Sequence, residues 1–223
     1  GVAENECGWW KVEGGKVNFD YYGVAENECG WWKVEGGKVN FDYYGIAENE
    51  YGWWKIEGGK VNFDYTGLAD SDNGRMYVSN GGVDFGYTNV IQDGDVWVYV
   101  ENGKVRYDYT GIRENANGWW KIESGIVNFK FTGIASNENG EFYIKDGKVD
   151  FDYSGTINQS DCIYTVKSGW VVSKEGISGI IKGVDVSHHN NDNGEGVLNW
   201  AEVANAGYKF AMVKVAGRSI GDD

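Results

Sequence analysis

The fold is decided by a short aromatic stretch near the start of the chain. It reads Gly8-Trp9-Trp10-Lys11-Val12-Glu13-Gly14-Gly15-Lys16-Val17-Asn18-Phe19-Asp20-Tyr21. Apolar and polar residues alternate on both sides of Gly14-Gly15, which is the pattern of half-buried β-strands. A glycine pair between two such runs favours a two-residue turn with positive φ at both central residues. We therefore predict a β-hairpin with strands at Trp9–Glu13 and Lys16–Tyr21.

This stretch recurs along most of the 223-residue chain. Repeats of 22 residues, without insertions, begin at Gly1, Gly23, Gly45, Gly67, Asn89, Gly111 and Gly133, and a degenerate eighth begins at Gly155. The turn pairs that match Gly14-Gly15 are Gly36-Gly37, Gly58-Gly59, Asn80-Gly81, Asn102-Gly103, Ser124-Gly125 and Asp146-Gly147. Positions are counted from the first residue of each repeat, so that Trp9 and Trp31 both occupy position 9. A constant repeat length predicts that every repeat makes the same step of one regular superhelix.

The turn fixes the register of the predicted hairpin. Glu13 should face Lys16, and Trp10 should face Phe19. Positions 10, 12, 17, 19 and 21 then share one apolar face, which we assign to the core, while positions 9, 11, 13, 16, 18 and 20 share a polar face. A lone hairpin is marginal in water, so successive hairpins must stack through linking segments such as residues 22–28. The expected fold is mostly β, an elongated β-hairpin repeat solenoid.

Composition excludes several classes of protein. The net charge of −14 makes nucleic acid an unsuitable partner. The sequence contains no run of about 18 apolar residues, so it predicts no membrane-spanning helix. Nine Phe, fifteen Tyr and eleven Trp supply enough apolar surface for the chain to fold. The three cysteines form neither a disulfide framework nor a metal motif, and we expect no cofactor.

Position 9 carries the candidate ligand-binding residues. It is occupied by Trp9, Trp31, Trp53, Arg75, Trp97, Trp119 and Glu141, a mixture that a core position would not accept. We expect these tryptophans to be partly exposed beside the carboxylates of Asp20, Asp42 and Asp64, where they could stack on a sugar ring or a cation. Tyr22 and Tyr44 add two further candidates. The alternative is that the tryptophans pack against neighbouring repeats and bind nothing.

The repeated motif resembles the cell-wall-binding repeats of Gram-positive surface proteins and lysins, whose better-known relatives bind choline or glucan. The resemblance implies seven wall-binding repeats in residues 1–154, followed by a degenerate repeat and linker in residues 155–180. It implies a bacterial cell-wall polymer as partner: peptidoglycan, teichoic acid or glucan. Choline-type repeats usually carry an aromatic run after the turn, whereas this chain has Lys16-Val17-Asn18-Phe19. That departure favours other wall material over choline.

Residues 181–223 differ from the repeats in pattern. The pattern predicts a short strand at Lys182–His189 that ends in polar residues, a helix around Leu198–Ala206 and a second strand at Tyr208–Val215. Together they predict a βαβ unit, the start of a parallel α/β domain. The order Gly183-Val184-Asp185-Val186-Ser187-His188, then Asn199-Trp200, then Gly207-Tyr208-Lys209-Phe210-Ala211 resembles the beginning of glycoside hydrolase family 25 lysozymes. The resemblance implies the N-terminal part of a TIM-like barrel in residues 181–223.

By that resemblance Asp185 is an active-site carboxylate, at the end of a barrel strand. Glycoside hydrolysis needs two carboxyl groups, and the Asp-x-Glu pair that the family carries on a later strand is absent from these residues. We therefore expect this chain to be inactive by itself. The neighbouring His188 and His189 are a weak metal candidate, because adjacent strand residues point to opposite faces.

These patterns leave three hypotheses for the function. The first is a wall-binding module of a secreted or cell-wall-associated lysozyme. The second is a surface adhesin, or a solenoid that binds glucan or host glycans without an enzymatic role. The third is a rigid stalk. Exposed tryptophans at position 9 disfavour the stalk, and the lysozyme-like segment disfavours a pure adhesin.

Overall fold

The computed structural model describes residues 1–176, 183–186, 200–208 and 210–213. They fall in two compact bodies. One holds residues 1–159 and 164–173, and the other holds residues 160–163 and the described residues after 173. No helix in these described ranges is long and apolar enough to cross a membrane.

Each of the eight repeats contributes three strands to one open antiparallel sheet of 24 strands. The first strands are Val2–Asn5, Gly23–Asn27, Gly45–Asn49, Gly67–Ser71, Asn89–Asp93, Gly111–Asn115, Gly133–Asn137 and Gly155–Gln159. The second strands are Gly8–Glu13, Gly30–Glu35, Gly52–Glu57, Gly74–Ser79, Val96–Glu101, Gly118–Glu123, Gly140–Lys145 and Cys162–Lys167. The third strands are Lys16–Val17, Lys38–Val39, Lys60–Val61, Gly82–Val83, Lys104–Val105, Ile126–Val127, Lys148–Val149 and Trp170–Gly176.

The predicted turn is confirmed in conformation, and the predicted register is confirmed for the two residue pairs next to it. The predicted pairing of Trp10 with Phe19 is wrong, because the third strand ends at Val17. Gly14 and Gly15 have φ of 57° and 77°, and Asn80, Asn102, Ser124 and Asp146 adopt positive φ at the same first turn position. In the first repeat Glu13 pairs with Lys16 and Val12 with Val17. Two consecutive positive φ values give the turn a twist that suits antiparallel strands.

Two sequence predictions about the hairpin are wrong. The segment predicted as a link, residues 22–28, contains the first strand Gly23–Asn27, which pairs along its whole length with Gly30–Glu35. The strand predicted at Lys16–Tyr21 ends at Val17, because Asn18 turns the chain away: its side-chain oxygen accepts from the Asp20 amide at 3.0 Å. The main hairpin of each repeat therefore lies on the other side of the second strand.

Consecutive repeats are joined by backbone hydrogen bonds around the second turn glycine. The Gly37 amide donates to the Tyr21 carbonyl at 3.0 Å, and the Gly37 carbonyl accepts from the Lys11 amide at 2.8 Å. Trp10 pairs with Lys38 across the same junction. A Cβ at Gly37 would lie 2.8 Å from the Phe19 Cα, closer than real Cβ contacts come. Glycine at position 15 is thus required by close approach as well as by its φ.

The core confirms positions 10, 12 and 17 of the predicted apolar face and corrects position 19. The position-12 side chains from Val34 to Val166 are at most 1% exposed. The position-19 aromatics are 40–63% exposed at Phe19, Phe41, Phe63, Phe85, Tyr107, Phe129 and Phe151. The alternation of faces stops applying where the third strand ends, two residues before Phe19. The first strands, which the sequence analysis left outside the core, contribute buried side chains such as Val24 and Ala25.

The second body contains the predicted strand, helix and strand in chain order. They are Gly183–Val186, Trp200–Asn205 and Phe210–Val213, and the two strands pair in parallel with Asp185 beside Met212. A single six-residue helix does not show the start of a TIM-like barrel. His188 and His189 lie outside the described residues.

Substituting alanine for Gly59 tests the junction, with Gly15→Ala as the matched control. Both glycines have φ of 77°, but a Cβ at Gly59 would meet the Phe41 Cα at 2.7 Å while one at Gly15 meets nothing within 4 Å. Left-handed backbone costs alanine ~1–2 kcal/mol at either site, and overpacking adds ~1–3 kcal/mol at Gly59 only. Urea denaturation followed by circular dichroism should show the larger loss for Gly59→Ala. Equal losses would contradict the steric argument.

Candidate functional site

Position 9 joins one repeat to the next through aromatic contacts. Trp9 meets Trp32 edge-on with ring centroids 4.8 Å apart, and meets Phe41 at 5.8 Å. Trp31 makes the same pair of contacts with Trp54 and Phe63, at 4.9 and 5.7 Å. The equivalent contacts of Trp53, Trp97 and Trp119 are with Phe85, with Trp120 and Phe129, and with Phe142 and Phe151. One face of each tryptophan is therefore used for stacking the repeats.

The side chains at position 9 are partly exposed and also pack against the next repeat, so both interpretations from the sequence apply to them. All of these side chains, from Trp9 to Glu141, are partly buried, as the mixture of residue types predicts. They also pack against the core of the following repeat, as the alternative proposed. The tryptophans therefore have a structural role, and any ligand would contact only the surface that this packing leaves open.

That open surface belongs to a groove that repeats along the array. Its floor is formed by positions 2, 3, 4 and 9 of one repeat, and its rim by the turn at positions 5, 6 and 7 of the next. We name each groove by its two repeats: grooves 1/2, 2/3, 3/4 and 6/7 contain Trp9, Trp31, Trp53 and Trp119 respectively. In grooves 1/2, 2/3 and 6/7 the turn that builds the rim is held by an asparagine at position 5: the Asn49 side-chain oxygen, for example, accepts from the Tyr51 amide and the Trp54 indole. In groove 3/4 the Ser71 hydroxyl accepts from the Asn73 amide.

The residue at position 3 sets the size of the groove. With alanine there, grooves 1/2, 2/3 and 3/4 have volumes of about 370, 430 and 300 Å³. Groove 6/7 has Arg113 at this position and only about 110 Å³. The first three volumes fall in the lower half of the ~300–1,000 Å³ range that is typical of small-molecule sites.

Arg113 fills groove 6/7 with a positive charge from the chain itself. Its guanidinium donates to Glu138 at 2.7 Å and to the Tyr99 hydroxyl at 3.2 Å, and lies 4.6 Å above the Tyr109 ring. The pKa of Glu138 lies below its usual range, because the residue's own amide donates to the carboxylate and Arg113 adds a nearby positive charge. This groove accommodates a cation between an aromatic face and a carboxylate.

In the first three repeats, a lysine at position 11 lies over the ring of the tyrosine at position 21. The Lys11 ammonium lies 4.9 Å from the Tyr21 ring centroid and 3.1 Å from Glu13. Lys33, Lys55 and Lys121 repeat this arrangement over Tyr43, Tyr65 and Phe131. Burial raises the pKa of the Tyr21 hydroxyl, which donates to the Val24 carbonyl at 2.8 Å. In the fourth repeat two tyrosines, Tyr77 and Tyr87, stack instead at 3.6 Å.

The predicted aspartates do not join the tryptophans. Asp20, Asp42 and Asp64 are exposed at the turn after the third strand, and none of them lines the groove that holds Trp9, Trp31 or Trp53. The acids in the grooves come instead from positions 4 and 6, such as Glu26 and Glu50. The sequence analysis missed them because it interpreted residues 22–28, which include positions 1 to 6 of the second repeat, as a link.

The predicted residues Tyr22 and Tyr44 pack beside the next turn. The Tyr22 hydroxyl lies 3.4 Å from the place of a Cβ on Gly36, and the Tyr44 hydroxyl 3.5 Å from that on Gly58. Where the turn begins with another residue, position 22 is a short hydroxyl residue that accepts from the turn amide, as Thr66 does from Asn80 at 3.1 Å. Both tyrosines are 71% exposed, and Tyr22 also lines groove 3/4.

The two roles of position 9 can be separated by stability measurements. Trp31→Ala removes the edge-on contacts with Trp54 and Phe63, and should destabilise the array by roughly 2–4 kcal/mol. Glu48→Gln changes an exposed carboxylate of groove 3/4 and should stay within about 0.5 kcal/mol of the parent. Urea denaturation of both variants provides the comparison. An unchanged midpoint for Trp31→Ala would remove the structural role.

Comparison with known families addresses the repeats directly. Residues 42–62, 64–84, 86–106, 108–128 and 130–150 each match the family model of the choline-binding repeat. Each matched stretch runs from position 20 of one repeat to position 18 of the next, and so contains the three strands and the turn at positions 5–7. No curated protein matches the chain. These five stretches of the array are therefore similar in sequence to choline-binding repeats, which supports the resemblance to cell-wall-binding repeats.

Proposed function

We propose that the repeat array binds a bacterial cell-wall polymer and holds the protein at the cell wall. The observation that carries the proposal is the match of five consecutive repeats to the choline-binding family model. The grooves support it, because each presents a tryptophan and carboxylates to solvent at a place where a polymer could lie. Repeats of this family are typically associated with the cell surface.

Repetition gives weak sites a combined strength. Equivalent grooves recur between successive repeats in a stack whose backbone junctions are all alike. A polymer held at one groove meets the next at a high effective concentration, so that avidity can exceed the affinity of a single site by about 10²–10⁴. A rigid stalk without binding would have no need for the carboxylates that line the grooves of Trp9, Trp31 and Trp53.

Two wall ligands compete as the target of the array. Choline-containing teichoic acid is favoured by the family match. Other wall glycans are favoured by the tyrosine at position 21, since Lys11, Lys33 and Lys55 already occupy the ring faces that could attract a choline cation. Elution by free choline distinguishes the two.

The lysozyme context is a separate part of the proposal. It rests on the residue order around Asp185 and is supported by the parallel pairing of Gly183–Val186 with Phe210–Val213. In this proposal Asp185 is one active-site carboxylate of a family 25 muramidase, and the array concentrates that enzyme on its substrate. The alternative is a surface adhesin in which the array binds glucan or host glycans. Muramidase activity in a longer form that carries an Asp-x-Glu strand would favour the lysozyme.

Co-sedimentation with purified Gram-positive cell walls tests the binding proposal. We expect the full chain to pellet with the walls and to stay bound in 0.5 M salt, because stacking on aromatic rings is not screened as ion pairs are. A protein of similar charge without repeats is the control. Loss of pelleting at high salt would reduce the interaction to general electrostatics, and failure to pellet at all would remove the proposal.

Free choline is the second arm of the same measurement. Release of the bound chain by millimolar choline, but not by equal sodium chloride, would assign the ligand to choline-containing teichoic acid. Retention in choline together with release by soluble wall glycan would assign it to the glycan. We expect release by glycan.

A further inference from the structure

Groove 2/3 differs from the other grooves in its rim. Position 7 carries Tyr51, which is 69% exposed and forms an open aromatic pair with Trp31, with ring centroids 5.8 Å apart and planes tilted by 44°. Two carboxylates, Glu26 and Glu50, line the same groove. Its volume of about 430 Å³ is the largest of the four named grooves.

Glu50 and Tyr51 are neighbours in the chain and line the same groove as Trp31. A positive charge bound at Glu50 would therefore lie beside the two rings. The negative charge of Glu50, together with a hydrogen bond to its carboxylate, raises the pKa of the Tyr51 hydroxyl.

Groove 6/7 shows what the equivalent groove accepts. Arg113 reaches Glu138, and Glu138 occupies the same repeat position as Glu50. Ala25 stands in groove 2/3 where Arg113 stands in groove 6/7, so the chain supplies no cation to Glu50 from this position. The same fold therefore places a cation against the position-6 carboxylate when its own sequence provides one.

The neighbouring residues limit the kind of cation. Arg113 uses a second acceptor, the Tyr99 hydroxyl, at position 11 of the preceding repeat. In groove 2/3 this position is Lys11, which is a donor and is paired with Glu13 at 3.1 Å. A guanidinium would lack that acceptor, and a quaternary ammonium could donate no hydrogen bond to Glu50. A single primary ammonium suits the groove.

We propose that groove 2/3 binds an unacetylated amino sugar of the wall glycan, with its ammonium at Glu50 and its ring against Trp31 and Tyr51. The apolar face of a pyranose packs on aromatic rings, while the ammonium donates a charge-assisted hydrogen bond to the carboxylate. The inference rests on the proposed wall binding and adds the class of sugar that this groove selects.

Calorimetric titration with a single-charge probe tests the proposal. The probe is the methyl glycoside of glucosamine, and its N-acetyl derivative is the matched neutral sugar; a polycation would adhere to a chain of net charge −14 without a specific site. We expect the amino sugar to bind at least about tenfold more tightly than its N-acetyl form, as a charge-assisted hydrogen bond implies. Equal affinities would overturn the proposal.

Variants locate the site. Glu50→Gln should weaken binding about tenfold, and Ala25→Arg should abolish it by supplying the chain's own cation, as Arg113 does. Glu114→Gln is the control: it removes one carboxylate, at position 4, from groove 6/7, which Arg113 fills, and should leave affinity unchanged. Because Glu50 is exposed, its variant should fold normally. Affinity unaffected by Glu50→Gln, or lowered equally by Glu114→Gln, would refute the assignment.

Two further probes separate this ligand from other cations. Choline and Nα-acetyl-lysine methylamide each carry one positive charge without an amino-sugar ring. Both should bind at least about tenfold more weakly than the glucosamine glycoside. Tighter binding of choline would assign the groove to a quaternary ammonium, and tighter binding of the lysine derivative to a peptide. If no probe binds groove 2/3 while the chain still pellets with walls, the amino-sugar inference fails and the proposed function stands.

Discussion

The array depends on one close backbone contact, made by the second turn glycine of each repeat from the second repeat onward. There the amide and carbonyl of a residue such as Gly37 bond to the preceding repeat, and its Cα approaches so closely that a Cβ would overlap the chain at Phe19. Because both the conformation and the contact exclude other residues, position 15 is glycine in every repeat, whereas position 14 varies among Gly, Asn, Ser and Asp. This contact fixes the geometry between consecutive repeats, so the grooves between them recur with the same geometry.

The aromatic side chains at position 9 hold consecutive repeats together, and only their remaining surface is open to a ligand. Trp9 and Trp31 lie edge-on to the tryptophan and phenylalanine of the following repeat, so that the residues expected to recognise a ligand also stabilise the solenoid. The differences between grooves come from the side chains at positions 3, 6 and 7, which vary from repeat to repeat. Arg113 and Tyr51 show how far single residues at these positions change a groove that is otherwise repeated.

Charged residues also differ in role according to their position in the repeat. A lysine at position 11, such as Lys11, pairs with the glutamate two residues on and lies over the ring of the tyrosine at position 21. The carboxylates at positions 4 and 6 keep their exposure at the groove. Part of the accessible negative charge therefore lies in the grooves, as Glu26 and Glu50 do in the groove of Trp31, and part lies at exposed turns, as Asp42 does.

The sequence by itself determined the repeat length, the turn, the register around it and the buried positions 10, 12 and 17, because these follow from local φ preference and from alternation within one strand. Tertiary structure decided that residues 23–27 form a strand, that Phe19 is exposed, and that Trp31 shares a groove with Glu50 and not with Asp42. Those outcomes depend on which strand pairs with which and on how the next repeat is placed. Neither is encoded in the period of a single segment, since a strand needs its partner's hydrogen bonds to form.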